Sequence, residues 1–421
     1  MVFLNKIKKN TKIFSYYHEA IMRLATILLI SFFINFKALA ETYFPSNTWE
    51  TRTADDVNLN NDQINKLFKL TFSDHATMGA VLIKDGYIVK EQYADGFDEN
   101  SFGTSWSTAK SFYAALIGIS IDRGEIDSLD DPVSRYIREF DKPEKKDITI
   151  RQILNMTSGL EFPSHEHEKM FFENDHMKYA LNIGLESKPG AKFEYNNVNS
   201  MLIGEILRDA TGKTAKTLIK ERIFSKIGLD NFTAWEDSAG NTLTYCCLDM
   251  SARDYSRFGL LFSRDGNWDG NNIISKEYVS ETLKPYWGST PSMGWVHSDT
   301  RGYSLQWWIS KYDEQARIYN TSGKFGQFIF IDKDRDIIFT RITKYYPTRG
   351  DVQNFGPLKF LKFLGSVDAA IGVARFLNNI GLIKFVGGNI QTPVTLEEGE
   401  SKEFYEQYIE IVNTLATLQA N

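Results

Sequence analysis

The chain has 421 residues, 42% apolar and 24% charged, which excludes a disordered or fibrous protein and suits one large globular domain or two. Its formal charge of −6 argues against a general nucleic-acid binder, and its two cysteines, Cys246 and Cys247, exclude a disulfide scaffold and a cysteine zinc finger. Neighbouring cysteines rarely bridge each other, so this pair is read as two small packing residues. Aromatic residues reach 14%, with 30 Phe and 20 Tyr, which points to ring-lined cores and clefts.

In chain order, the first segment reads as an export signal. Lys6, Lys8, Lys9, Lys12 and Arg23 precede an apolar run over 24–34, and Ala38-Leu39-Ala40 follows as a small-x-small cleavage site. The run is about half of what a membrane span needs. Residues 22–40 form a complete signal by themselves, so the start is Met22, or residues 1–21 extend the basic leader. Cleavage after Ala40 removes six basic residues and one acidic residue, leaving 42 and 53 and a net charge of −11. An acidic periplasmic or secreted protein is expected, meeting a membrane only if the signal stays uncleaved. Residues 41–74 are set apart as an N-terminal extension, 75–365 as one hydrolase domain, and 366–421 as a C-terminal helical extension.

Two β-rich runs, 80–84 and 87–90, flank Asp85-Gly86, a strong two-residue hairpin signal. Residues 108–123 form an apolar helix stopped by Gly124. Helices are also expected over 149–157 and 199–211, with Gly159 and Gly212 behind them, over 250–263, and near 401–418. A second hairpin joins 327–331 to 337–343. Strands at both ends with helices between them predict an α+β fold. An antiparallel sheet is flanked by N- and C-terminal helices, a helical subdomain is inserted, and the cleft lies between them.

Chemistry first appears at the 108–123 helix. Ser107-Thr108-Ala109-Lys110 puts a hydroxyl and an amine one turn apart on one face, and Trp106, Phe112, Leu116 and Ile119 mark that helix as buried. Burial disfavours a charged amine, and a neutral lysine can take a proton from the serine. The helix N-terminus favours negative charge developing at the same place. This is the only Ser-x-x-Lys in the chain. An isolated match is equally well explained by a capping serine and a solvated lysine, so partners are needed. Pro189-Gly190 turns the chain into Tyr195-Asn196-Asn197, just before a helix that starts near Asn199. Tyr195 can share a proton with the serine, and Asn197 can bind a lysine amine and a substrate amide together.

Ser107-Thr108-Ala109-Lys110, Tyr195-Asn196-Asn197 and a Gly-rich strand entry together resemble the penicillin-recognising serine hydrolases. Within them the chain resembles the class C β-lactamase-like group, which includes penicillin-binding proteins, esterases, D-aminopeptidases and 6-aminohexanoate-dimer hydrolases. Residues 148–160 and 251–259 are similar to two further family segments. Gly302-Tyr303-Ser304-Leu305-Gln306-Trp307-Trp308 resembles the 6-aminohexanoate branch. The resemblance covers about 75–365 and implies a β-lactamase/transpeptidase-like fold, a nucleophilic Ser107 served by Lys110 and Tyr195, and no metal or cofactor. The family's third motif is Lys-Thr-Gly or His-Thr-Gly on a strand lining the site, and two placements stay open. Thr321-Ser322-Gly323 fits the spacing to the following strand, and Lys324-Phe325-Gly326 fits the letters. On the first, which is preferred, the N–H of Lys324 after Gly323 joins that of Ser107 as an oxyanion hole. A penicillin carboxylate then lacks its fixed cation, unless Lys324 reaches into the cleft.

Competing chemistries fare worse. His165-Glu166-His167 with His176 could suggest a metal, but the His-x-His-x-Asp-His pattern is missing. Gly-x-Ser-x-Gly is absent as well. The expected partner is a small-molecule amide or ester. The candidates are a linear ω-amino-acid amide, a short-chain ester, a D-peptide and a β-lactam, with the Trp-Trp segment favouring the first two. The alternative is a penicillin-binding-like cell-wall sensor or D-peptidase that acylates with little turnover.

Overall fold

A computed structural model describes residues 42–161, 169–284, 301–311, 317–344 and 402–418, with Met22, Arg23 and a few positions between 373 and 382. Met1–Tyr43 form one unit and Phe44–Asn421 another. The signal expected over 1–40 lies outside the described residues, apart from Met22 and Arg23, as do His165 and His167. No helix among the described residues is long and apolar enough to cross a membrane.

The fold of the second unit is α+β. Its main sheet contains β1 (Thr77–Lys84), β2 (Tyr87–Tyr93), β3 (Arg301–Ser304), β4 (Trp307–Lys311), β5 (Arg317–Gly323), β6 (Gln327–Asp332) and β7 (Ile337–Thr343). Their spatial order is β2-β1-β7-β6-β5-β4-β3, and every pairing is antiparallel. The first hairpin forms as its turn residues require: Asp85 and Gly86 take φ of 54° and 88°, and Lys84 pairs with Tyr87. β1 then pairs with β7, so the two predicted hairpins lie side by side although about 250 residues separate them.

Both faces of the sheet are covered. Helix α1 (Asn61–Thr71) starts at Asn60, whose side chain accepts from the N–H groups of Asp62 and Gln63. Helix α2 (Ala109–Asp122) is apolar nearly all round and buried nearly all round. Helix α3 (Ile150–Leu154) opens with a Thr149/Gln152 capping box. Helix α4 (Asn197–Thr211) ends at Gly212 in the left-handed conformation. Helix α5 (Ala252–Ser263) and helix α6 (Lys402–Ala416) complete the frame. On one face, Ala80, Leu82, Phe328, Phe330 and Phe339 pack with α1 and α6. On the other, Val81, Ile83, Ile329 and Ile338 pack with α2 and α5. Alternation along each strand feeds both clusters, which is why β1 and β7 read as unbroken apolar runs. α5 approaches the sheet so closely that a Cβ at Gly259 would sit 2.7 Å from Ile329 and Ile338.

Two expectations are corrected. The helix expected over 149–157 stops at Leu154, because Met156 takes φ of 58° and turns the chain back toward the site. The helix expected from Asn199 starts at Asn197, because the Asn196 side chain caps it by accepting from the N–H of Val198. A smaller sheet joins Phe102–Thr104 to Leu248–Ser251 and Thr233–Ala234, and leads the chain into the Ser107 turn.

Candidate active site

Ser107 lies in a short 3-10 turn, Trp106–Thr108, that runs directly into α2. The turn is pinned from two sides. The N–H of Ser105 donates to Leu248 O at 2.7 Å, and the N–H of Leu248 donates to Ser105 Oγ at 2.7 Å. The Thr108 hydroxyl donates to Gln327 O across the sheet at 3.1 Å. These bonds hold Trp106 at φ of 49°, a conformation that costs a non-glycine residue ~1–2 kcal/mol. Its ring meets Phe325 edge-on at 5.1 Å. Ser107 itself is half-buried at the end of this strained turn.

Lys110 is 1% exposed. Its Nζ is hydrogen-bonded to Ser107 Oγ at 2.9 Å and to the carbonyl of Tyr245 at 2.7 Å. It also stands 5.1 Å from the centroid of the Tyr195 ring. The residues picked out by two separate sequence motifs, 107–110 and 195–197, therefore meet. The loop carrying Tyr195 is fastened to the turn after α3: Glu194 N donates to Met156 O at 2.8 Å, and Asn196 N to Met156 Sδ at 3.5 Å. Asn197 is half-buried, and its Oδ1 has no hydrogen-bond partner among the described residues.

Of the two placements for the third motif, Thr321-Ser322-Gly323 lies on the end of β5, while Lys324-Phe325-Gly326 makes the turn into β6. Thr321 is buried, and its hydroxyl accepts from the N–H of Ile329 at 3.1 Å. At Gly323, a Cβ would lie 2.2 Å from the carbonyl oxygen of Ser105. Only glycine lets the strand end press against the Ser107 turn this closely. The Lys324 ammonium lies 5.8 Å from the Trp106 ring and 5.2 Å from the Phe325 ring.

Sequence reasoning missed several neighbours. Tyr245 contributes a main-chain carbonyl, which leaves no trace in residue type. Its hydroxyl lies 3.1 Å from His176 Nδ1, and burial pushes the His176 pKa down to about 4, so that ring is neutral. Cys246 and Cys247 are buried, as expected of packing residues. Trp308 lies near parallel to the Tyr195 ring at 5.8 Å, with Tyr303 edge-on to both. Among the described residues, no group of three or more His, Cys, Asp or Glu side chains could hold a metal ion.

The beta-lactamase family profile matches residues 70–355, well over half of the chain. The chain belongs to the beta-lactamase family. Penicillin-binding protein 4* of Bacillus subtilis is 27% identical over 181 residues, which cover 39% of this chain and 39% of that protein. The chain thus matches well under half the length of this curated relative. Among solved structures, a candidate 6-aminohexanoate-dimer hydrolase from Bacillus anthracis superposes with a TM-score of 0.60 at 21% identity, covering 79% of this chain and 90% of that one. A family VIII carboxylesterase superposes with a TM-score of 0.55 at 19% identity, covering 67% and 90%. Likeness at these identities shows the shared β-lactamase fold.

Proposed function

We propose that this family member is a serine hydrolase that cleaves an amide or ester through an acyl-enzyme on Ser107. The observation that carries this reading is the hydrogen bond from buried Lys110 to Ser107 Oγ, made beside the Tyr195 ring. Ser107 Oγ attacks the carbonyl carbon while Lys110 and Tyr195 relay its proton. The N–H groups of Ser107 and Lys324 hold the developing oxyanion, which the close seat of Gly323 brings to the turn. Tyr195 then protonates the leaving amine or alcohol, and Asn197 Oδ1 accepts from a substrate amide. Water, activated by the same pair, releases the acyl group. Neither metal nor cofactor enters the scheme.

On the preferred placement of the third motif, Thr321 stands where the family pattern has Lys or His, so we favour a linear ω-amino-acid amide or a short-chain ester over a β-lactam. Relatives named for hydrolysis of both kinds share the fold. The leader-like composition of residues 1–40 supports export to the periplasm or beyond.

A fluorophosphonate label followed by intact-mass measurement tests the nucleophile. Wild type should gain one adduct on Ser107, and Ser107→Ala should gain none and lose at least ~1000-fold in turnover of p-nitrophenyl acetate. A Ser107→Ala protein that still labels and hydrolyses would overturn the assignment.

A further inference from the structure

We propose that Trp308 is a positioning residue for Tyr195, locking the proton-relaying ring to the strand ladder that also carries the oxyanion residue. This rests on the serine-hydrolase reading above. Tyr195 sits on a loop between Pro189-Gly190 and α4, so no helix or strand of its own fixes its ring. The ring meets the Lys110 ammonium at 5.1 Å, the Tyr303 ring edge-on at 6.1 Å and the Trp308 indole at 5.8 Å, and the indole alone of these lies over it face to face, tilted only 27° from parallel. Trp308 is 4% exposed and held on both sides, paired with Tyr303 of β3 and Asn320 of β5. Asn320 stands three residues before Gly323, the strand end pressed against the Ser107 turn.

The tandem tryptophans divide their work, because successive strand residues face opposite ways. Trp307 enters the main core, stacked on Phe258 at 5.9 Å. Trp308 enters a separate small cluster of Met156, Phe193 and Tyr303, with Tyr195 packed against it. That cluster brings together Phe193 within the loop, Met156 beneath it, and the sheet through Trp308. A rigid indole on β4, paired between β3 and β5, thereby sets where a loop tyrosine stands relative to the backbone N–H just beyond the end of β5. Trp308 acts through Tyr195, so its contribution should vanish when the Tyr195 hydroxyl is removed.

The test is a double-mutant cycle on the full chain with p-nitrophenyl acetate: wild type, Trp308→Leu, Trp308→Phe, Tyr195→Phe and both double variants, with Ser107→Ala alongside. Trp308→Leu should lower kcat ~10–100-fold with KM within about twofold, the scale expected when a relaying group is misplaced. Trp308→Phe should restore most of that loss. In the Tyr195→Phe background, either exchange should change kcat less than about twofold. Equal losses in both backgrounds, or a change in KM alone, would overturn the proposal. If Trp308→Leu does not fold, as judged by thermal unfolding, Trp308→Met carries the cycle: a loss present with Tyr195 and absent with Tyr195→Phe supports the proposal, and the same change in both, or no change in either, overturns it. A fully active Ser107→Ala removes the hydrolase reading and this proposal together. An inactive Ser107→Ala with an additive cycle removes the positioning role alone.

Discussion

At Gly323 a single hydrogen atom decides whether two backbones can touch. A methyl group there would overlap the carbonyl of Ser105, so Gly323→Ala must push β5 or the Ser107 turn outward. A displacement of about 1 Å at a site of this kind costs ~100-fold in rate, so turnover of p-nitrophenyl acetate should fall at least that far. His176 makes a different residue-scale prediction. Burial, working against the nearby Asp237, lowers its pKa from 6.5 to about 4, so the folded chain keeps the ring neutral where the unfolded chain binds a proton. Stability should therefore drop as pH falls from about 6.5 to 4, by ~3 kcal/mol in all at ~1.4 per unit. Urea midpoints measured across that window should slope for wild type and flatten for His176→Gln. Ser107, Lys110 and Tyr195, which the structure brings together, were legible as candidates in the sequence because their side chains stand at recognisable spacing. The sequence stayed silent on the Tyr245 carbonyl, since every residue has one.

The elements read most easily from sequence were those with strong local signals. Asp-Gly set the first hairpin, and Gly124 and Gly212 marked the ends of α2 and α4. Strands β3, β4 and β5 escaped, although their tryptophans and the third motif were noticed. Their β3–β4 turn uses Leu305 and Gln306 at φ of 43° and 69°, without the usual Gly or Asn. Tertiary bonds impose that turn: Gln306 Nε2 donates to Leu154 O at 2.8 Å, and Ser200 donates to Gln306 Oε1 at 2.8 Å. Helix α6 was foreseen, but its role was not. Phe404 sits against the turn at Gly326, two residues after Lys324, and packs near parallel to Phe328 at 6.1 Å. Phe404→Ala should cost ~3–5 kcal/mol in chemical denaturation. It should also weaken turnover, because the 324–326 turn loses its backing.

Across the whole molecule, one ion pair ties together the start, the late strands and the end of the second unit. Arg341 of β7 pairs with Asp74, both fully buried, and Arg341 Nη1 donates to Gln407 of α6 at 3.2 Å. Asp74→Ala would leave that guanidinium buried without its counter-charge, a loss of ~3–5 kcal/mol readable as a lowered denaturation midpoint. The antiparallel sheet was legible as a class, yet its order was not, because no local pattern says that β1 will choose β7. That choice has a consequence during synthesis. The β1–β2 hairpin is complete by Tyr93, but the apolar edge of β1 waits for a partner that begins at Ile337. At ribosomal speeds of ~5–20 residues per second, the wait is on the order of 10–50 s. For that interval the nascent chain shows a sticky, half-paired strand to its surroundings, and shielding that one edge until residue 343 arrives is the chief demand this topology makes on the cell.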